Sequence, residues 1–444
     1  MTFFHPFLRR LALCCAALGG HAAFAQAPAA PPVPAHPDAV SRDAQRAYQS
    51  AREKLVQIRT LVRDTNTQSS VGSGFFVSVD GLVMTNFHVA SQLALEPERY
   101  RGVMVSVDGK QAEVDLLAFD VLHDLALLRV RDSAGERPAL DFRPADRPLE
   151  RGERLYSLGN PLDIGFAVTE GTYNGTVQRS FYPRIFFSGA INPGMSGGPV
   201  LDEAGEVIGV NVSKRLDGEL VSFLVPAEFA QALVARAATL PPITKTAQAE
   251  VTRQLLLHQD ALAKRFMATP FKAQTYRGYS VPVPDDAMAR CWGRASDASL
   301  KSFSVEVTDC QLDSQLFAGQ ITTGFIKVHH EAYDAPKLGP LRFATLFGER
   351  MASERFMAQS NAQKTAAECS ERYIDRGGMA LRAVVCMNAF RKLRGLYDMS
   401  VVVTSVNQPT QGVRARMDAY GVGFDNGLAL ASYYVNAFKW VGAQ

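Results

Sequence analysis

Ile191-Asn192-Pro193-Gly194-Met195-Ser196-Gly197-Gly198-Pro199 sets one serine in a turn made from three glycines and two prolines. Glycine reaches positive φ without steric cost, so such a stretch holds a hydroxyl on a tight loop and lets other backbone come close. Two upstream stretches carry complementary chemistry. The first is Val71-Gly72-Ser73-Gly74-Phe75-Phe76-Val77, followed after a turn by Met84-Thr85-Asn86-Phe87-His88-Val89. The second is His123-Asp124-Leu125-Ala126-Leu127-Leu128. Acyl transfer by serine needs an imidazole base, a carboxylate that fixes the imidazole tautomer, and backbone N–H groups that hold the oxyanion. His88, Asp124 and Ser196 are the candidates. Each taken alone has an ordinary reading: Ser196 as a turn residue, Asp124 as a strand cap, His88 as a core histidine. Three blocks in this order on one stretch favour the chemical reading. His123 competes for the role of base, but neighbours on a strand face opposite ways, so it is read as structural.

Around these blocks, from residue 71 to about 235, short β-like runs alternate with Gly, Asp and Pro. Expected strands are 74–79, 103–107, 126–130, 155–158, 207–212 and 221–225, after a first strand over 55–62. Asp80-Gly81 and Asp108-Gly109 are hairpin signals. Regular short strands without long helices between them predict an all-β barrel or sandwich, closed by a helix over 226–239.

The three blocks resemble those of the trypsin-like serine proteases, most closely the HtrA/Deg branch. That family carries a GSGF-type strand, a TNxHV histidine block, a DLALL aspartate block and a PGxSGGP nucleophile loop. Ile191-Asn192-Pro193-Gly194 and Gly205-Glu206-Val207-Ile208-Gly209-Val210-Asn211 add to the likeness, which covers about residues 55–235. The order His, Asp, Ser is that of the chymotrypsin-like barrels. The resemblance implies a double β-barrel with Ser196 as nucleophile, His88 as general base and then acid, and Asp124 orienting His88. It implies an oxyanion hole from the N–H groups of Gly194 and Ser196. Three positions depart from the pattern. Met195 replaces the polar residue usual before the nucleophile. Ala190 stands at the expected floor of the S1 pocket, which argues against cleavage after Lys or Arg. Ser213, Lys214 and Arg215 stand along the expected pocket wall, where relatives tend to be apolar. A small aliphatic P1 residue is one expectation and an acidic one the other.

Pro241-Pro242 marks a boundary. Beyond it a helix is expected over 246–266, then an α+β domain over 241–444 with strands at 303–307, 325–329, 399–406 and 413–419 and a final helix over 426–440. No GLGF-like loop of a PDZ domain follows the protease stretch, so PDZ peptide recognition is not implied. Cys291, Cys310, Cys369 and Cys386 allow three pairings. The local pairs Cys291–Cys310 and Cys369–Cys386 are expected, each worth roughly 3 kcal/mol through loop closure. Their spacing lacks the short form of a zinc site, and adjacent His329 and His330 on a strand point apart, so no metal and no cofactor is expected.

Residues 1–25 read as a secretory signal: Arg9 and Arg10, an apolar run too short to span a bilayer, then Ala23-Phe24-Ala25. Residues 26–54 form an Ala/Pro-rich leader and a short helix starting at Ser41, ahead of a protease domain over 55–240. Losing Arg9 and Arg10 from 47 basic residues leaves 45 against 44 acidic ones, a balance that gives no footing for nucleic acid. No stable membrane insertion is expected once the signal is cleaved, and an oligomer is left open. The expected function is an exported serine endopeptidase, periplasmic or alternatively secreted, acting on protein or peptide substrates in envelope quality control or processing. The competing reading is a latent trypsin-like scaffold that binds or senses through its C-terminal domain.

Overall fold

A strand flanked by two cores has to be apolar on both faces, and the Leu125-Ala126-Leu127-Leu128 run meets that requirement. In the computed structural model, Leu125 and Leu127 enter one hydrophobic core while Ala126, Leu128 and Val130 enter another. The structure describes residues 41–131, 136–214, 219–296, 302–312, 314–352, 360–406 and 408–442. The expected signal and leader, residues 1–38, therefore lie outside the described residues, as does Arg215.

The chain opens with helix α1 (Arg42–Ala51), whose N-cap Ser41 accepts a hydrogen bond from the Ala44 N–H. Six strands then close a first antiparallel barrel: β1 (Leu55–Val62), β2 (Gln68–Phe76), β3 (Leu82–Thr85), β4 (Tyr100–Ser106), β5 (Gln111–Asp120) and β6 (Leu125–Val130). Helix α2 (Phe87–Leu95) lies between β3 and β4. A second closed barrel follows from β7 (Arg154–Gly159), β8 (Ala167–Thr176), β9 (Ile185–Phe187), β10 (Pro199–Leu201), β11 (Val207–Lys214) and β12 (Ser222–Pro226). Helix α3 (Ala227–Ala237) buries Ala230, Leu233 and Ala237 against the core common to both barrels. Helical spacing of small and apolar side chains makes that stripe. The expected double barrel is therefore present.

Helix α4 (Gln248–Ala268) joins the barrels to the remainder. Val251 and Leu255 pack with the first barrel, whereas Leu262, Ala263 and Phe266 pack into the core of the C-terminal sheet. One helix thus serves two cores. Its fixed register is supported where the Gln254 side chain accepts the Val121 N–H at 2.7 Å.

The C-terminal strands are β13 (Lys272–Tyr276), β14 (Tyr279–Val283), β15 (Arg290–Ala295), β16 (Ser304–Gln311), β17 (Leu316–Ala318), β18 (Ile321–Thr323) and β19 (Phe325–Asp334). After helix α5 (Pro340–Ala352) come β20 (Glu368–Arg376), β21 (Met379–Ala389), β22 (Leu396–Ser405) and β23 (Gln411–Gly423). Helix α6 (Phe424–Asn436) and β24 (Lys439–Trp440) complete the described chain. Seven strands form one antiparallel sheet in the order β15-β16-β19-β23-β22-β21-β20. Disulfides Cys291–Cys310 and Cys369–Cys386 join directly opposed residues of the two outermost strand pairs. Those edge strands are largely exposed and gain little from the core, so cross-links there add what packing does not. The local pairing expected from the spacing is the one observed.

The expected final helix over 426–440 stops at Asn436. Lys439 and Trp440 instead pair with β14, where the Trp440 ring sits edge-on to Tyr279 at 4.9 Å. His329 and His330 do point apart. His329 bonds Asp309 and Glu331 on the outer face, while buried His330 bonds the Tyr434 hydroxyl at 2.8 Å. Among the described residues, no helix is long and apolar enough to cross a membrane.

Candidate active site

His88 is the second residue of α2, and Asp124 ends the turn that leads into β6. The two are joined twice. Asp124 Oδ1 accepts the backbone N–H of His88 at 2.8 Å, and Oδ2 lies 2.6 Å from His88 Nδ1. An ionised carboxylate only accepts, so Nδ1 carries the proton and Nε2 keeps its lone pair. The Asp124 carbonyl also accepts from Phe87 N and from Asn86 Nδ2. Asp124 is thus the anion at the N-terminus of α2, where unpaired N–H groups favour negative charge. Its backbone pays for this position with φ of 57°, off the strand. His123 therefore diverges from Asp124 because of a turn, and not through the strand alternation expected from sequence. Its ring stacks on Phe229 at 3.7 Å and bonds Asp120. His123 is structural, as expected.

Burial of the His88 ring opposes its protonation. The Asp124 carboxylate outweighs that through charge and hydrogen bond, while Arg184 pushes the other way, and the pKa ends above its ordinary value. Arg184, just before β9, is a nearby cation that sequence reasoning did not anticipate.

Ser196 belongs to the loop before β10. Gly194 and Gly197 have φ of 94° and 87°, which favour glycine. A Cβ on Gly197 would meet the Ser73 carbonyl and Thr85 Oγ1 at 2.3 Å, and one on Gly198 would meet the Leu158 carbonyl at 2.1 Å. The loop is clamped to both barrels. Ser73 Oγ donates to the Gly194 carbonyl at 2.6 Å, and Ser73 N donates to the Ser196 carbonyl at 2.8 Å. The Pro193 carbonyl accepts from Leu162 N at 2.8 Å, and since a trans peptide sets C=O and N–H opposite, the Gly194 N–H points away from Leu162. Among the described residues, the N–H groups of Gly194 and Ser196 make no hydrogen bond, and both residues are half-buried. Two such donors on one turn suit an oxyanion.

Met195 is fully buried with Leu155, Ile185, Phe187 and Ile191. The apolar residue before Ser196 therefore anchors the loop by packing. Asn211, also buried, bonds Ser157, Leu158 and Gly198 and fixes the loop to β7. The Ser196 hydroxyl donates to the Val212 carbonyl at 3.4 Å. Val212 begins the strand segment that continues into Ser213 and Lys214, whose side chains are outside the described set. Ala190 is half-buried, with its carbonyl held by Thr169 Oγ1 at 2.8 Å. Ser73, Leu162, Asn211 and Val212 had no assigned role in the sequence, although Ser73 and Asn211 lay inside quoted blocks.

Two antiparallel six-stranded barrels with histidine and aspartate on the first and serine on the second define the architecture of the trypsin-like peptidases. Residues 72–210 match the family model of the trypsin-like peptidase domain, and that part of the chain is such a domain, similar to the HtrA branch. A Synechocystis sp. protein carrying the name serine protease HhoB is 36% identical over 173 residues, 37% of this chain and 39% of that protein. A Halomonas elongata protein named as a DegP-like periplasmic serine endoprotease is 36% identical over 169 residues, 36% of this chain and 34% of its own length. The chain thus spans well under two thirds of either relative. The crystal structure of the serine endoprotease from Yersinia pestis aligns with a TM-score of 0.38 and 24% identity, covering 44% of this chain and 67% of that one.

Proposed function

We propose that the chain is an exported serine endopeptidase that hydrolyses peptide bonds of protein substrates through an acyl-enzyme. Ser196 Oγ attacks the scissile carbonyl as its proton passes to His88 Nε2. The N–H groups of Gly194 and Ser196 hold the oxyanion. The tetrahedral adduct collapses as His88 returns the proton to the leaving amine, and water then releases the acyl group by the same route. Asp124 fixes the tautomer throughout. The observation that carries this reading is the double engagement of His88 by Asp124, at its backbone N–H and its ring Nδ1. Residues 55–240 form the protease unit and 241–444 an α+β unit that helps to present substrate. Ala190, Ser213, Lys214 and Arg215 are the candidates to border the P1 side chain; the absence of a carboxylate at Ala190 argues against Lys or Arg at P1 and leaves a small aliphatic residue, preferred here, or an acidic one. Residues 1–25 direct export, and the name of the DegP-like relative fits a periplasmic destination. Hydrolysis of an unfolded protein by the wild type, lost in both Ser196→Ala and His88→Ala, is the expected result.

A second reading, a latent scaffold that binds or senses, draws on one observation. The Ser196 hydroxyl donates to the Val212 carbonyl in this conformation. Hydrogen bonds of a nucleophile often form only when substrate arrives, so the bond is compatible with either reading. Absence of turnover in a folded wild type with every unfolded substrate tried would favour the scaffold.

A further inference from the structure

The C-terminal region places one large apolar side chain beside His88. β17 and β18 form a two-stranded hairpin turned at Gly319, whose φ is 63°. Along β17 the side chains alternate. Leu316 and Ala318 are 2% and 1% exposed and join the core that holds Val89, Ala90 and Leu93 of α2. Phe317 faces the other way, 40% exposed, with its ring 6.4 Å from the His88 ring at an angle of 62°. An exposed phenylalanine forgoes burial that a strand of this kind could otherwise provide, and here it borders the one base of the site.

The hairpin is held firmly enough to fix that ring. The Gly324 carbonyl, just past β18, accepts from His258 Nε2 on α4 and from Ser314 Oγ, each at 2.7 Å, and its N–H donates to Tyr420 on β23 at 2.8 Å. The Gly319 turn rests against Leu95 of α2. Phe317 is thus presented to the cleft by a hairpin rooted in the core of the first barrel and tied at its end to α4 and β23. A peptide lying across Ser196 and His88 must lay the side chain next to its scissile bond against this ring.

We propose that Phe317 is a specificity-determining residue: it walls the subsite beside His88 and selects substrates with an apolar side chain flanking the scissile bond. The inference rests on the protease reading above and adds to it that the C-terminal region completes the substrate cleft. Aromatic walls reward apolar and aromatic partners, offer nothing to carboxylates and give cations only a weak contact over the ring face.

The test uses the full chain and peptide libraries varied at P2 and at P1′. In the wild type, kcat/KM is expected to favour Leu, Met or Phe over Gly, Asp and Lys at one of these positions. Phe317→Ala is expected to lower the Leu-to-Gly ratio at that position about tenfold, and Phe317→Leu to restore most of it. Phe317→Glu is expected to shift preference toward Lys and Arg there, a gain that misfolding cannot mimic. A preference profile identical in wild type, Phe317→Ala and Phe317→Glu overturns the proposal while leaving the protease reading intact. Fluorophosphonate labelling accelerated tenfold or more in Phe317→Ala also overturns it, because the ring would then be a plug. A folded wild type that neither labels nor cleaves overturns both readings.

Discussion

The hydroxyl of Ser73 donates to the carbonyl of Gly194 at 2.6 Å, across the junction between the first barrel and the nucleophile loop of the second. The same residue gives its backbone N–H to the Ser196 carbonyl and accepts the Asn160 N–H on its hydroxyl. Three groups therefore converge on one residue, two on its hydroxyl and one on its backbone N–H. With Met195 supplying packing in place of a polar contact, this clamp is what keeps the Gly194 N–H available.

Removing the clamp is expected to act on the transition state more than on ground-state binding. Ser73→Ala should lower kcat about tenfold, which corresponds to roughly 1.4 kcal/mol, with KM changed by less than about twofold. Separate determination of kcat and KM on one peptide substrate checks this. A pure rise in KM would show that Ser73 supports binding instead.

The His88–Asp124 pair sets the pH dependence. His88 must be unprotonated to accept the Ser196 proton, and its pKa is raised above 6.5 because Asp124 outweighs burial. The acid limb of kcat/KM is therefore expected above pH 6.5, with activity rising as pH increases through it. Asp124→Asn would present a donor where an acceptor is needed and should cut kcat on the order of 10⁴-fold. A pH–rate profile of both proteins decides; an acid limb well below 6.5 in the wild type contradicts the assignment.

Gly197 tests the steric argument. Its φ of 87° and the 2.3 Å approach to Ser73 and Thr85 leave no room for a methyl group. Gly197→Ala is expected to destabilise the protein by about 1–3 kcal/mol and to abolish turnover, measured by denaturant unfolding and peptide hydrolysis. The exposed turn glycine Gly109, with open space around it, serves as the comparison, since its alanine variant bears only the strain of positive φ.

Acid is expected to loosen the join between the barrels and the C-terminal region. His258 Nε2 donates to the Gly324 carbonyl, so its Nδ1 accepts the Tyr182 hydroxyl at 3.0 Å and the ring is neutral. Burial pushes its pKa down to about 4. The unfolded chain takes up this proton near pH 6.5, so the contribution is full above that value and lost as pH falls toward 4. The loss is on the order of 3 kcal/mol at most. His330, depressed to about 3 by burial, adds a loss in the same direction. Melting temperatures from pH 7.5 to 4.5 are expected to fall less steeply in His258→Gln than in the wild type. Equal slopes would remove His258 from the account.

Much of the fold was legible because the barrel strands are short and their burial pattern is direct. β1 fell on 55–62 as expected, although residues 55–58 are all buried, with Leu55 in one core and Val56 and Ile58 in another, so that strict alternation is absent. The double-faced burial of β6 explained an unbroken apolar run that a single core would not have required. Other elements left weaker traces. α2 was not foreseen because its nine residues are short and apolar around most of the helix, so no polar face reveals a helical period. β8 is half-buried along nearly its whole length, and β20 is exposed along most of its own, so neither has a strong alternation. At the site, the residues proposed for the chemistry were chosen from type and order. Those that hold them were not. Leu162 acts through a backbone N–H that any sequence possesses, Ser73 and Asn211 act through side chains whose partners are mostly backbone groups with no signature in the sequence, and Phe317 reaches His88 from more than two hundred positions away.

Covalent labelling of the purified protein with a fluorophosphonate, the modified residue located by mass spectrometry, tests the central claim most directly. The account predicts a single adduct on Ser196, absent in Ser196→Ala and strongly slowed in His88→Ala. A folded wild type that takes no label, or a label that persists in Ser196→Ala, would contradict it.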